Sequence, residues 1–166
     1  IIEKILELST SEDEKSLRIV ADHLRSSVFV LAEKIVPSNL EQGYVLRRLI
    51  RLAIRRGKLL GIKDEFTSKI ARIVINTYKK EYPNLNKNSS FIISEIDKEE
   101  RKFEKTLKKG MRVFEKINKK GKVTGKDAFL LFQSHGFPIE MTKELSGESG
   151  IDVDVKGYNR ELEKHQ

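Results

Sequence analysis

Residues 17–36, LRIVADHLRSSVFVLAEKIV, decide the fold class. Leu17, Val20, Ala21, Leu24, Val28, Leu31, Ala32 and Ile35 recur at i, i+3, i+4 and i+7, which is the stripe of an amphipathic helix, and Pro37 stops it. Working outward, the same period returns on both sides. Ile1–Leu8 is helical in pattern. After Gly43, Leu46, Leu49, Ile50 and Ala53 make one apolar arc, while Arg47, Arg48, Arg51, Arg55 and Lys58 fall on an opposite arc of about 100°. A third helix is expected from Asp64, a good N-cap, with Phe66, Ile70, Ile73 and Val74 inward until Tyr82-Pro83 breaks it.

NLNKNSS, residues 84–90, reads as a linker between an N-terminal part of about residues 1–83 and a C-terminal part of about residues 88–166. Phe91–Ile117 then reads as one long helix, burying Ile92, Ile96, Phe103, Leu107, Phe114 and Ile117. Asp97/Arg101, Glu104/Lys108 and Glu115/Lys119 are spaced as i,i+4 pairs on its wet side, and Gly110 is a weak point. NKKGKVTGK is a turn. Thr124 and Asp127 resemble a capping box before AFLLFQSH, which Gly136 ends, and Pro138 opens a further short helix over Ile139–Leu145. DVKGYNRELEKHQ supplies a last helix, with GIDVDV as a candidate short extended segment. The expected fold is all-α: a single helical domain, an irregular bundle with one long helix and several short C-terminal ones.

A chain of 166 residues is long enough to bury about two-thirds of its unfolded surface without staples. It has no cysteine, which excludes thiol chemistry, zinc knuckles and disulfide scaffolds. The formal net charge of +8 suits a polyanionic partner, although the sequence is lysine-rich throughout. No apolar run reaches the ~20 residues that span a bilayer, and the amino terminus has no signal-peptide pattern, so a cytoplasmic protein with no membrane partner is expected. The chain begins with Ile inside a helical pattern, as a piece of a longer protein would.

No catalytic constellation is present. His23, His135 and His165 have no serine or carboxylate partner at an informative spacing, and Glu148, Asp152 and Asp154 lack the spacing of a calcium loop, so no catalytic and no metal-binding residue is expected. The arginine arc is different. Arginine grips phosphate oxygens in two-point contact, and the acidic partners that would neutralise the arc at i−4 are missing. Two occupants are open at this point: a phosphate backbone, or an acidic protein surface that makes the chain a helical interaction module.

LRIVADHLRSSVFVLAEKIVPSN followed by GYVLRRLIRLAIRRGKLLG closely resembles the segment of alanyl-tRNA synthetases just after the class II catalytic domain. AFLLFQSHGFPIEMTKEL resembles a second segment downstream, and the similarity runs from about Leu17 to the end. The resemblance implies a helical tRNA-recognition region lying between the catalytic domain and the editing domain of an alanine–tRNA ligase. The whole enzyme would attach alanine to tRNA using ATP and magnesium; this region would carry no cofactor and would not form aminoacyl-adenylate. Its partner would be the acceptor stem of the tRNA for alanine, identified by a G·U wobble at the third pair. Such a pair leaves the guanine 2-amino group without its usual partner in the wide, shallow RNA minor groove, where a side chain reaches it.

Members of the family read that pair with an asparagine from the PSN motif and an aspartate from the segment before GFP. The first maps onto Asn39; Arg47, Arg48, Arg51, Arg55 and Lys58 would then hold flanking phosphates. The second position departs from the family, because Phe132-Gln133 stands where a Tyr-Asp pair is usual. Gln133 can still accept a hydrogen bond, without the charge that strengthens an acceptor, and it also donates. It is either a substituted reader or a polar residue at a helix end. Binding of RNA without selectivity is the remaining possibility.

Overall fold

A computed structural model describes residues 1–166 and is all-α. Nine helices follow in order: α1 (Ile2–Leu8), α2 (Glu14–Ala32), α3 (Glu41–Leu59), α4 (Thr67–Tyr78), α5 (Pro83–Lys87), α6 (Ser89–Asn118), α7 (Gly125–His135), α8 (Ile139–Gly147) and α9 (Val155–Lys164). None is long and apolar enough to cross a membrane. The chain divides into two compact units, Ile1–Arg101 and Lys102–Gln166, and the division falls within α6.

In the first unit α2 packs against α1, α3, α4 and α5 and buries Leu17, Val20, Leu24, Val28, Leu31 and Ala32 of the stripe, while Ala21 is partly covered and Ile35 falls beyond the helix end. The Asp13 carboxylate caps it by accepting the Ser16 N–H at 3.0 Å, which satisfies one of the first-turn donors. The helix ends at Ala32, before Pro37, because Lys34 swings into the left-handed region at φ 65. The Lys34 ammonium then lies 4.1 Å from the Phe91 ring centroid, an attraction between a cation and an aromatic face.

Two local expectations are corrected here. Residues 84–90 are not a linker: Pro83 occupies the first turn of α5, where its missing N–H costs nothing, and α6 already begins at Ser89. The third long helix starts at Thr67, not Asp64. Its first amides are capped from a distance by Glu100, whose carboxylate accepts Phe66 N–H at 3.1 Å, Thr67 N–H at 3.0 Å and the Thr67 hydroxyl at 2.7 Å.

In the second unit α6 turns Phe103, Leu107, Phe114 and Ile117 inward. Gly110 is a fitting point: a Cβ there would come within 2.6 Å of the Phe137 ring and 2.9 Å of His135 Cβ. The Thr106 hydroxyl donates to the His135 carbonyl at 2.9 Å beside it. α7 opens on the expected capping box, both bonds between Thr124 and Asp127 being 3.1 Å, and closes on left-handed Gly136. GIDVDV contributes one parallel bridge, Val153 to Val123, where the Asp154 N–H donates to the Val123 carbonyl at 3.1 Å.

Candidate nucleic-acid interface

The PSN motif is a tight loop between α2 and α3. The Ser38 N–H donates to the Gly43 carbonyl at 3.0 Å, and its hydroxyl donates to the Leu40 carbonyl at 3.1 Å. Gly43 is required: a Cβ on it would meet the Ser38 hydroxyl and lie 2.7 Å from the Val36 carbonyl. Glu41, two residues past Asn39, sits at φ 47, a conformation that costs a residue with a Cβ on the order of 1 kcal/mol and that the surrounding bonds must hold.

Asn39 is exposed, yet its side chain is fixed. Its Oδ1 accepts from Arg47 Nη1 at 2.8 Å, and Arg47 Nη2 reaches the Pro37 carbonyl at 3.5 Å. Arg47 is anchored in turn by the Glu99 carboxylate of α6, with Nε to Oε1 at 2.9 Å. The same Oε1 accepts from Arg51 Nε at 2.8 Å. Glu99 is 4% exposed, so these are interior charges compensated by geometry, not surface pairs. Burial pulls the Arg51 pKa down and the Glu99 carboxylate opposes it.

The outward cation face expected on α3 does not form. Arg51 and Arg55 are each 5% exposed, Arg47 is mostly covered, and Arg48 and Lys58 are half-buried. Arg56, outside the expected arc, is 8% exposed and donates to the Ser16 hydroxyl at 3.4 Å. The cause is tertiary. The acid that neutralises Arg47 and Arg51 stands 52 and 48 residues away, where no i−4 comparison finds it. Sequence reasoning missed Glu99 and Glu100, though a signal was present: both lie between Ile96 and Phe103 on the buried side of α6, and carboxylates there require partners.

Gln133, in the second unit, is exposed on α7. Its helix is held by aromatic packing against α9: the Tyr158 ring meets Phe132 edge-on at 5.9 Å and Phe129 at 6.4 Å. Tyr158 is 3% exposed, and burial, followed by the nearby Glu140 charge, pushes its phenol up to about 12. Gly125 and Gly157 allow the two helices this approach, since a Cβ on Gly125 would fall on the Gly157 carbonyl carbon. Asn39 in the first unit and Gln133 in the second are thus both exposed side-chain amides, the one held by Arg47 and the other on a helix packed against α9.

A family model, tRNA synthetases class II (A), matches residues 1–166. The chain belongs to the class II (A) tRNA synthetases. It is 42% identical over 164 residues to the alanine–tRNA ligase of Prochlorococcus marinus subsp. pastoris, covering 97% of this chain and 18% of that protein. The alanine–tRNA ligase of Thermotoga maritima is 40% identical over 173 residues, covering 100% of this chain and 20% of the relative. That of Nostoc sp. is 41% identical over 165 residues, covering 95% and 19%. This synthetase chain thus spans about a fifth of the length of the curated relatives it matches. The resemblance first seen in PSN and GYVLRR extends over the whole chain, and what matches is a helical part of an alanine–tRNA ligase.

Proposed function

We propose that this chain is the acceptor-stem recognition part of an alanine–tRNA ligase, with Asn39 and Gln133 reading the third base pair from the minor groove. One observation supports the reading above others: an exposed amide held by an arginine that is itself held by an interior carboxylate. A side chain fixed before RNA arrives loses less freedom on binding, and its hydrogen-bond direction discriminates between base edges. With one side of Oδ1 occupied by Arg47, Asn39 keeps its second lone pair and its two Nδ2 hydrogens for the groove. Gln133 offers an acceptor and two donors from α7. Alanine activation with ATP and magnesium, and transfer to tRNA, would be the work of the rest of the ligase. The half-buried Arg48 and Lys58 are the members of the α3 arc with surface left for phosphate; Arg51 and Arg55 serve the interior.

The test is binding to two acceptor-stem hairpins that differ only in the third pair, G·U against G·C, over a salt series. Preference for G·U is expected, and Asn39→Ala should reduce it roughly fivefold or more, the low end of what a well-placed polar contact contributes. Equal affinity for both hairpins at every salt concentration would refute the proposal in favour of an RNA binder without selectivity.

Arg47→Lys separates positioning from charge. Lysine keeps a cation beside Glu99 but lacks the planar fork that engages Glu99 and Asn39 together. The G·U preference is expected to fall about as far as in Asn39→Ala while the salt dependence stays the same. A variant that melts like the unmodified protein and keeps full preference would show that Asn39 needs no clamp.

A further inference from the structure

If the arginines of α3 are largely interior, the phosphates need another grip. The half of α6 that belongs to the second unit carries Lys102, Lys105, Lys109, Arg112 and Lys116, and Lys119, the first residue past its end, keeps the helical bond to the Glu115 carbonyl at 3.1 Å; the spacings are three, four, three, four and three. At 100° per residue these six fall on one arc of about 100°, and no other residue between Lys102 and Lys119 falls on it. All six are exposed. None is drawn into a hydrogen bond or a salt bridge within the chain. The acids of this half-helix, Glu104 and Glu115, stand on its flank. At 1.5 Å of rise per residue the row is about 25 Å long, with a cation every 5 Å or so.

The geometry points to this row as a docking surface for a nucleic-acid backbone, binding phosphates without reading bases. The inference rests on the proposed acceptor-stem function and adds where the backbone is held. Charge complementarity carries it. Six uncompensated cations in a line repel one another by themselves, and a polyanion with regularly spaced charges relieves that repulsion and releases its own counterions. In duplex RNA the major groove is too deep and narrow for side chains to read, so a row of cations laid along the backbone contributes affinity alike to every sequence.

The experiment neutralises four members of the row, Lys105→Gln, Lys109→Gln, Arg112→Gln and Lys116→Gln, in the full-length chain that contains them. A control removes four cations elsewhere on the second unit, Lys143→Gln, Lys156→Gln, Arg160→Gln and Lys164→Gln. All are exposed, so both variants should melt like the unmodified protein. Plots of log affinity against log salt for the G·U and G·C hairpins are expected to become shallower by about 0.7 to 0.9 per lost contact in the row variant only, with the G·U to G·C ratio within twofold of its starting value. An unchanged slope overturns the inference. So does an equal change in the control, which would make the effect one of net charge, or a loss confined to a polyglutamate probe, which would make the partner an acidic protein. If the unmodified protein does not distinguish the hairpins, the acceptor-stem reading fails, and the slopes still decide whether the row holds a backbone.

Discussion

Glu100→Ala is expected to destabilise the first unit by about 3–5 kcal/mol, with a fall in melting temperature on the order of 10 °C. The carboxylate is fully buried and accepts from two backbone amides and a hydroxyl at the start of α4. Alanine removes all three bonds together and leaves Phe66 N–H and Thr67 N–H, first-turn donors with no partner inside their helix, in an interior closed to water. Glu100→Gln keeps one acceptor of similar reach and should lose roughly half as much. Urea unfolding gives the totals, and hydrogen exchange localises them: the amides of α4 should lose protection first. A loss below about 1 kcal/mol would mean that the amides find water and that Glu100 is not their cap.

Gly125→Ala should cost about 3 kcal/mol, at the upper end of overpacking, because the obstruction is main chain and cannot rotate away. The new Cβ would meet the Gly157 carbonyl carbon and the Tyr158 amide. α9 must therefore lift from α7, and the Tyr158 ring leaves Phe129 and Phe132. That movement has its own signature. Tyr158 titrates near 12 while buried, against an ordinary value of about 10. A raised folded pKa means that its contribution is complete below about pH 10 and is lost as pH rises from there towards 12. In Gly125→Ala the phenol should titrate near its ordinary value. Retention of the high value would show that α9 absorbs a methyl without moving.

The helices were readable because their apolar residues keep the 3.6-residue period: the stripe of α2 buries from Leu17 to Ala32 with Ala21 partly covered, and the Thr124/Asp127 box caps α7 as expected. What could not be read in sequence order is the chemistry that crosses the fold. Asp64 looks like a cap by its neighbours, yet the cap arrives from Glu100, and the arginines of α3 look unpaired by the i−4 rule, yet Glu99 serves two of them. Asn39, singled out by motif, is exposed, but its bond to Arg47 is invisible in the sequence because Arg47 reads there as one member of a cation arc. Gly110 was misjudged for a related reason: helix propensity counts the missing side chain as a defect, whereas the Phe137 ring needs the space.

The distance between the arginines of α3 and Glu99 has a consequence during synthesis. A chain grows from its amino end, so Arg47 and Arg51 exist as soon as Arg51 is joined, while the acid they share is added 48 residues later. Through that interval the nascent chain carries, beside the ribosome's own RNA, the uncompensated arginine row that the folded unit keeps inside. Only when Glu99 and Glu100 leave the exit tunnel can α3 and α4 lock onto α6, so the bonds that hold Arg47 and Arg51 and cap α4 all wait on one late stretch of the chain.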